Sequence, residues 1–150
     1  MRPPRVVVSP RTEPPFPVDA IVEEEDTFIT LSAGPALTVP DEHPIRILTR
    51  ARGAREVELG TVVVRPGSPL TFLAIVHRLS EERTWREDWI AEAVENLRLC
   101  VARYRVGALG MPLLGTVHGK LDPKRAFALL APVLTTSGRL ERVWIMRFHD

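Results

Sequence analysis

The chain has 150 residues, with 20 basic and 19 acidic side chains and a formal net charge of +1. This length fits a single domain, residues 1–150, that buries its own core. The near balance of charges gives no strong signal for nucleic-acid binding. No apolar run approaches the roughly 20 residues that cross a bilayer, and the N-terminus lacks the apolar stretch of a signal peptide. We therefore predict a cytoplasmic protein without a membrane partner.

Few side chains suit redox or metal chemistry. Cys100 is the only cysteine, which excludes an internal disulfide and a thiolate zinc cluster. The histidines His43, His77 and His149 show no metal-ligand spacing. We therefore predict no metal site and no cofactor.

The first half of the chain alternates short apolar runs with proline, glycine and charged residues. Runs rich in valine, isoleucine and threonine favour strands. They predict strands at 6–8, 20–22, 27–31, 60–64 and 72–76, and a short helix that Asp41 caps and Gly53 ends.

The second half has clearer helix signals. Thr84 and Glu87 stand at capping-box spacing before a periodic apolar stripe, which predicts a helix from Glu87 to Tyr104. Asp122-Pro123 predicts the start of another helix. Strands are predicted at 108–113 and 142–148. Long helices between strands favour an α/β fold with a sheet covered by helices.

A loop with two glycines joins the strand at 108–113 to the helix at Asp122. Glycines let the backbone approach an anion closely and turn its N–H groups toward it, and the helix dipole adds favourable potential. In the alternative interpretation, the glycines only make a tight connection. The functional interpretation predicts a phosphate-binding loop formed by Gly115, Thr116, Val117, His118 and Gly119.

The segment from Met111 to Pro123 resembles the signature of macro domains, the ADP-ribose-binding modules. In that family a strand runs into Pro-x-x-Gly-Thr-Gly-x-x-Gly and then a proline-initiated helix. Val18–Val22 is similar to the family's Asp-Ala-Ile-Val strand, and Gly60–Val64 with Ile75–His77 is similar to its next strand pair. The resemblance covers nearly the whole chain. It implies a three-layer α/β sandwich with a mixed central sheet flanked by helices.

The resemblance also implies where a ligand would lie. Macro domains often end the final strand with an aromatic residue that stacks on adenine, and Phe148 takes that position. The family's Asn-Ala-Ala-Asn is replaced by Glu23–Asp26, and its Gly-Gly-Gly-Val loop is reduced to Ala33-Gly34-Pro35. Asp26 and Gly34 are therefore the candidates on the ribose side. The acid that contacts adenine in the family is missing near Ser9–Thr12.

Two interpretations of the acidic run Glu23–Asp26 remain open. In the first, the run is a solvated turn that points away from the cleft. In the second, it faces the cleft and repels a diphosphate, because two like charges about 6 Å apart cost roughly 3 kcal/mol at an effective dielectric of about 20.

Three functions follow from the resemblance and its departures. The favoured one is a binding module for ADP-ribose or a related phosphorylated or nucleotide-like ligand. The second is a degenerate domain that binds no ligand and acts in protein contact or as a homo-oligomer, with Trp85 and Trp89 as candidate surface. The third is a hydrolase of ADP-ribosyl linkages. We favour this least, because hydrolases of the family use the asparagine and glycine-rich loop that are missing here.

Overall fold

A computed structural model of the chain describes residues 2–31, 56–136 and 138–148. Within these residues, four strands come first, and helices and strands follow in the second half. The strands are β1 (Arg5–Pro10), β2 (Ala20–Asp26), β3 (Val62–Arg65), β4 (Leu70–His77), β5 (Ala108–Pro112) and β6 (Arg142–Arg147). The helices are α1 (Glu87–Arg103), α2 (Pro123–Leu129) and α3 (Ala131–Leu134).

The strands form one mixed sheet in the order β1-β6-β5-β2-β4-β3. Neighbouring strands are parallel, except that β3 and β4 are antiparallel. This confirms the predicted α/β fold with a mixed central sheet. Because β5 lies between β6 and β2, the loop that follows it leaves the carboxyl end of an inner strand, where ligands of such sheets bind.

Apolar side chains of the sheet and of α1 form the core. Strand β4 is apolar along nearly its whole length, as expected for a strand covered on both faces. Phe72 and Ala74 join the main apolar cluster, while Leu73 and Ile75 are equally buried on the opposite face. Helix α1 contributes an apolar stripe with helical spacing to that cluster. The buried members of the stripe are Ile90, Ala93, Val94, Leu97 and Val101.

The segment Thr27–Leu31 is a turn, so the prediction of a strand there was wrong. The side chain of Asp26 accepts hydrogen bonds from the N–H groups of Phe28 at 2.7 Å and Thr30 at 3.0 Å. The side chain of Asp26 thereby accepts N–H groups that, in a strand, would donate to a neighbouring strand. The predicted helix from Asp41 to Gly53 and the candidate Gly34 lie outside the described residues.

The two predicted helix starts have different outcomes. The capping box was wrong, because α1 begins at Glu87 with Arg86 in the cap position and no side-chain cap. The hydroxyl of Thr84 is instead 2.9 Å from Nδ1 of His77. The cap at Asp122 is confirmed, since its carboxylate accepts the N–H of Arg125 at 3.2 Å.

The two glycines of the loop are required by its path and its packing. Gly115 has φ +89°, in the left-handed region that side chains rarely adopt. A Cβ on Gly119 would lie 2.5 Å from the carbonyl oxygen of Gly115 and 2.5 Å from Cδ1 of Trp85. Close packing alone is therefore enough to explain the glycine at position 119, without a bound anion.

Replacing Gly119 with alanine should lower the free energy of unfolding by about 1–3 kcal/mol, the usual cost of overpacking. Gly107→Ala is the matched control, because a Cβ there would come no closer than 3.3 Å to its nearest neighbour, Oδ2 of Asp19. Chemical denaturation of both variants measures the difference. Equal stabilities would contradict the packing account of Gly119.

Candidate functional site

A cleft of about 470 Å³ lies at the carboxyl ends of the parallel strands. This volume falls within the roughly 300–1,000 Å³ of small-molecule sites. Strands β2, β5 and β6 contribute its floor, and the loop after β5 contributes one wall. The lining residues that matter most for its chemistry are Arg11, Glu23, Glu24, Val117, His118 and Phe148.

The acidic run Glu23–Asp26 belongs to strand β2, so its interpretation as a solvated turn was wrong. Glu24 is 3% exposed, and Glu25 and Asp26 are completely buried. Buried carboxylates require strong hydrogen-bond partners. These three buried carboxyl groups must therefore have hydrogen-bond partners inside the molecule.

The carboxylate of Glu24 is bound by the backbone of the predicted phosphate loop. Its Oε1 accepts the N–H of Gly115 at 2.6 Å and the N–H of Val117 at 3.1 Å. Its Oε2 accepts the N–H of His118 at 3.1 Å. The loop thus binds a carboxylate of the same molecule, and phosphate binding by this loop stays a prediction.

A histidine completes the shell of donors around this carboxylate. Nε2 of His77 lies 2.6 Å from Oε2 of Glu24, and both side chains are fully buried. Each oxygen of Glu24 therefore has two hydrogen-bond partners, which matches the capacity of an ionised carboxylate. We call Glu24, His77 and the N–H groups of Gly115, Val117 and His118 the carboxylate cradle.

The pKa of Glu24 reflects the balance of forces in the carboxylate cradle. Burial raises the pKa of this carboxyl group, but the hydrogen bond and charge of His77 and the N–H groups of Val117 and His118 lower it more. The net pKa lies below the usual value of 4.5. Hydrogen bonds to the charged form favour ionisation, so Glu24 is a buried anion at neutral pH.

A register shift brings His77 to the face that carries Glu24. Glu25 pairs with Ile75, but Asp26 pairs with His77 rather than with Val76. A slip of one residue exchanges the faces of a strand. Without it, His77 would point to the same face as Ile75, away from Glu24.

The second nitrogen of His77 is also engaged. Its Nδ1 lies 2.9 Å from the hydroxyl of Thr84. Thr84 is held in turn by its carbonyl oxygen, which accepts the N–H of Arg78 at 2.7 Å. In the neutral Nε2–H tautomer, Thr84 donates to Nδ1 and His77 donates to Glu24. This chain of hydrogen bonds fixes the orientation of the imidazole ring.

The other residues of the predicted loop have structural contacts. Thr116 donates its N–H and its hydroxyl to the carbonyl oxygen of Leu113, at 3.1 and 2.6 Å. The ring of His118 is exposed and lies edge-on to the ring of His77, with centroids 6.2 Å apart. Of the loop residues, Val117 and His118 line the cleft.

Asp26 holds a turn. Besides Phe28, its carboxylate accepts the N–H groups of Thr30 and Leu31 and the hydroxyl of Thr30. Among the described residues, Asp26 is not one of those that line the cleft. The cleft therefore receives its carboxylates from Glu23 and Glu24.

Phe148, the candidate for adenine stacking, lines the cleft at the end of β6. The guanidinium carbon of Arg11 lies 5.1 Å from the centroid of its ring, within cation–π distance. Glu23 also lines the cleft and is half-buried, and burial raises its pKa more than the charge of Arg65 lowers it. The cleft thus offers an aromatic ring, a cation and a half-buried acid.

Sequence reasoning missed the roles of Glu24, His77 and Thr84. A signal for Glu24 was available, because Ala20, Val22 and Glu24 alternate along one face of a strand, and the first two are apolar. A charge on that face requires a buried partner. The partners come from residues about 50 and 90 positions away, and the sequence gives no sign of the register shift at His77.

Two further findings concern the described residues only. No group of three or more histidine, cysteine, aspartate or glutamate side chains in this part of the chain is arranged to hold a metal ion. None of the helices in the same residues has the length and apolar character needed to cross a membrane.

No protein-family model and no curated protein matches the chain. Solved structures do. The macrodomain of Thermus aquaticus DarG superimposes with a TM-score of 0.66 and 21% identity, over 95% of this chain and 97% of that one. The Oceanobacillus iheyensis macrodomain with ADP gives a TM-score of 0.64 and 16% identity, over 97% of this chain and 83% of that one. The chain has the macro-domain fold.

The matches to solved macrodomains establish a shared fold and nothing more specific. A further match, to a variant of the Oceanobacillus iheyensis macrodomain with ADPR, has a TM-score of 0.60 and 16% identity, over 95% of this chain and 84% of that one. At these identities the likeness establishes the fold alone.

Removing the charge of Glu24 should cost stability in a pH-dependent way. A carboxyl group with a lowered folded-state pKa stabilises the protein above its unfolded-state pKa, and this contribution is lost as the pH falls through the folded-state value. Glu24→Gln should therefore reduce the free energy of unfolding by about 2–4 kcal/mol at neutral pH. The deficit should shrink in acid.

Glu23→Gln is the matched control on the same strand. Its pKa is raised, so its charged form opposes folding, and removing it should leave stability at neutral pH unchanged or improved. Denaturant unfolding across the acidic range compares the two variants with the wild type. Parallel profiles for the wild type and Glu24→Gln would contradict the assignment of a lowered pKa to Glu24.

Proposed function

We propose that this chain is a binding module for a nucleotide-like ligand of the ADP-ribose class, held in the cleft at the carboxyl ends of the parallel strands. The observation that carries the proposal is the position of that cleft, which is lined by Phe148 at the end of β6 and by Val117 and His118 of the loop after β5. Open α/β sheets bind ligands at this edge. The macrodomains with ADP and with ADPR support the same ligand class by similarity of fold.

The ring of Phe148 is the proposed anchor for a base. A base that stacks on an aromatic ring gains roughly 1–3 kcal/mol. Arg11 already lies over this ring, so a bound base would use the opposite face or displace the guanidinium group. A displaced Arg11 remains close enough to the cleft to pair with a phosphate.

The carboxylate cradle limits how a phosphorylated ligand binds. The N–H groups of Gly115, Val117 and His118 already donate to Glu24. The predicted phosphate-binding loop can therefore hold an anion of the ligand only if Glu24 leaves; otherwise the ligand binds elsewhere in the cleft. If Glu24 leaves, the proposed contacts of the ligand are still the five loop residues Gly115, Thr116, Val117, His118 and Gly119.

The saturated cradle also favours a second candidate function, a domain that has lost small-molecule binding and acts through protein contact. Trp85 and Trp89, the candidates for such a surface, are each partly covered by an arginine side chain. The guanidinium carbon of Arg83 lies 4.0 Å from the ring centroid of Trp85, and that of Arg86 lies 4.9 Å from the ring centroid of Trp89. Because neither ring is an open apolar surface, ligand binding remains the first proposal.

Calorimetry with ADP-ribose, AMP and adenosine tests the proposal. Phe148→Ala should weaken the binding of each by roughly 1–3 kcal/mol, or about 5- to 150-fold in Kd. Phe127→Ala is the control, because Phe127 is an exposed phenylalanine on α2 and does not line the cleft. If none of the three ligands binds the wild type, the first proposal fails and the second candidate takes its place.

A further inference from the structure

We infer that Glu24 determines ligand class: its carboxylate occupies the position where the loop would hold a phosphate, so the cleft selects nucleoside-like ligands over ligands that carry a phosphate at the loop. This inference rests on the proposed binding function of the cleft. It goes further, because it assigns to one residue the choice among ligands of that class.

The N–H donors of the loop can bind one anion at a time. A phosphate against this loop would use the N–H groups of Gly115, Val117 and His118, and Glu24 accepts all three at 2.6–3.1 Å. Two anions cannot share these donors, because each N–H makes one strong hydrogen bond. A phosphate and the Glu24 carboxylate therefore exclude one another.

Displacement of Glu24 would also affect its buried partner His77. Nε2 of His77 makes its hydrogen bond to Glu24 in a fully buried environment. If the carboxylate left, His77 would lose its partner unless the incoming anion replaced it. A buried donor without an acceptor is unfavourable. The resident carboxylate thus has four bonds that a competing phosphate must reproduce.

The cleft also offers uncharged groups. Among the described residues, Nε1 of Trp144 is buried with no hydrogen-bond partner, and Trp144 lines the cleft. A neutral acceptor on a base or sugar would satisfy an indole N–H without bringing charge. Together with the ring of Phe148, this N–H group suits a nucleoside, whereas Arg11 is left to pair with a phosphate that binds away from the loop.

Replacing Glu24 with alanine should vacate the cradle and leave its donors in place. We expect acetate and inorganic phosphate to raise the melting temperature of Glu24→Ala, because either anion restores the missing acceptor. The wild type should show no such shift. Glu23→Ala is the matched control: it removes an acid that lines the same cleft but lies on the opposite face of β2, so it should respond to these anions less than Glu24→Ala does.

Ligand preference should change with the same substitution. By calorimetry, the wild type should bind adenosine at least as tightly as ADP-ribose, and Glu24→Ala should bind ADP-ribose at least tenfold more tightly than the wild type does. Glu23→Ala should gain less affinity for ADP-ribose than Glu24→Ala does. Wild-type protein that binds ADP-ribose far more tightly than adenosine would overturn the inference.

The outcomes separate this inference from the proposed function. If neither adenosine nor ADP-ribose binds any variant, but acetate and phosphate stabilise Glu24→Ala alone, the proposed function fails and the cradle assignment stands. If Glu24→Ala folds only when acetate or phosphate is added, this result also supports the assignment of the carboxylate cradle. If that variant folds in neither condition, and a folded Glu24→Gln binds phosphate no more tightly than the wild type, the inference is overturned.

Discussion

The contact between the Glu24 carboxylate and the loop after β5 is the interaction on which the site depends. It joins three parts of the chain that are distant in sequence: strand β2, the end of β4 at His77, and the loop from Gly115 to His118. A buried charge with one partner would destabilise the fold, whereas a charge with four donors is compatible with burial. The loop therefore takes its shape around an internal anion.

This interaction explains several neighbouring features. The register shift in β4 brings His77 to the face of Glu24. The hydroxyl of Thr84 is used to orient His77 and so does not cap α1. The two acids after Glu24 turn inward as well, and Asp26 closes the turn that follows β2. Glu24, Glu25 and Asp26 are thus buried acceptors tied to backbone donors, whereas Glu23 is half-buried and lines the cleft.

Local patterns predicted much of the fold. The apolar period of α1, the cap at Asp122 and the β-branched runs of β3 and β4 are properties of neighbouring residues, and the structure confirms them. The glycine loop after an inner strand was also predictable. Phe148, which lines the cleft, was named from the family resemblance and not from a local pattern. The cradle was not predictable, because its partners meet only through strand pairing and a one-residue slip that no local pattern records.

Residue-resolved amide hydrogen exchange tests the central claim most directly. Exchange is slow where an N–H has a buried, persistent acceptor. The N–H groups of Gly115, Val117 and His118 should be protected in the wild type. In Glu24→Ala they should lose protection together, while amides within β5 keep theirs. Rapid exchange at these three positions in the wild type, or protection that is unchanged in Glu24→Ala, would contradict the internal carboxylate as the anion of this loop.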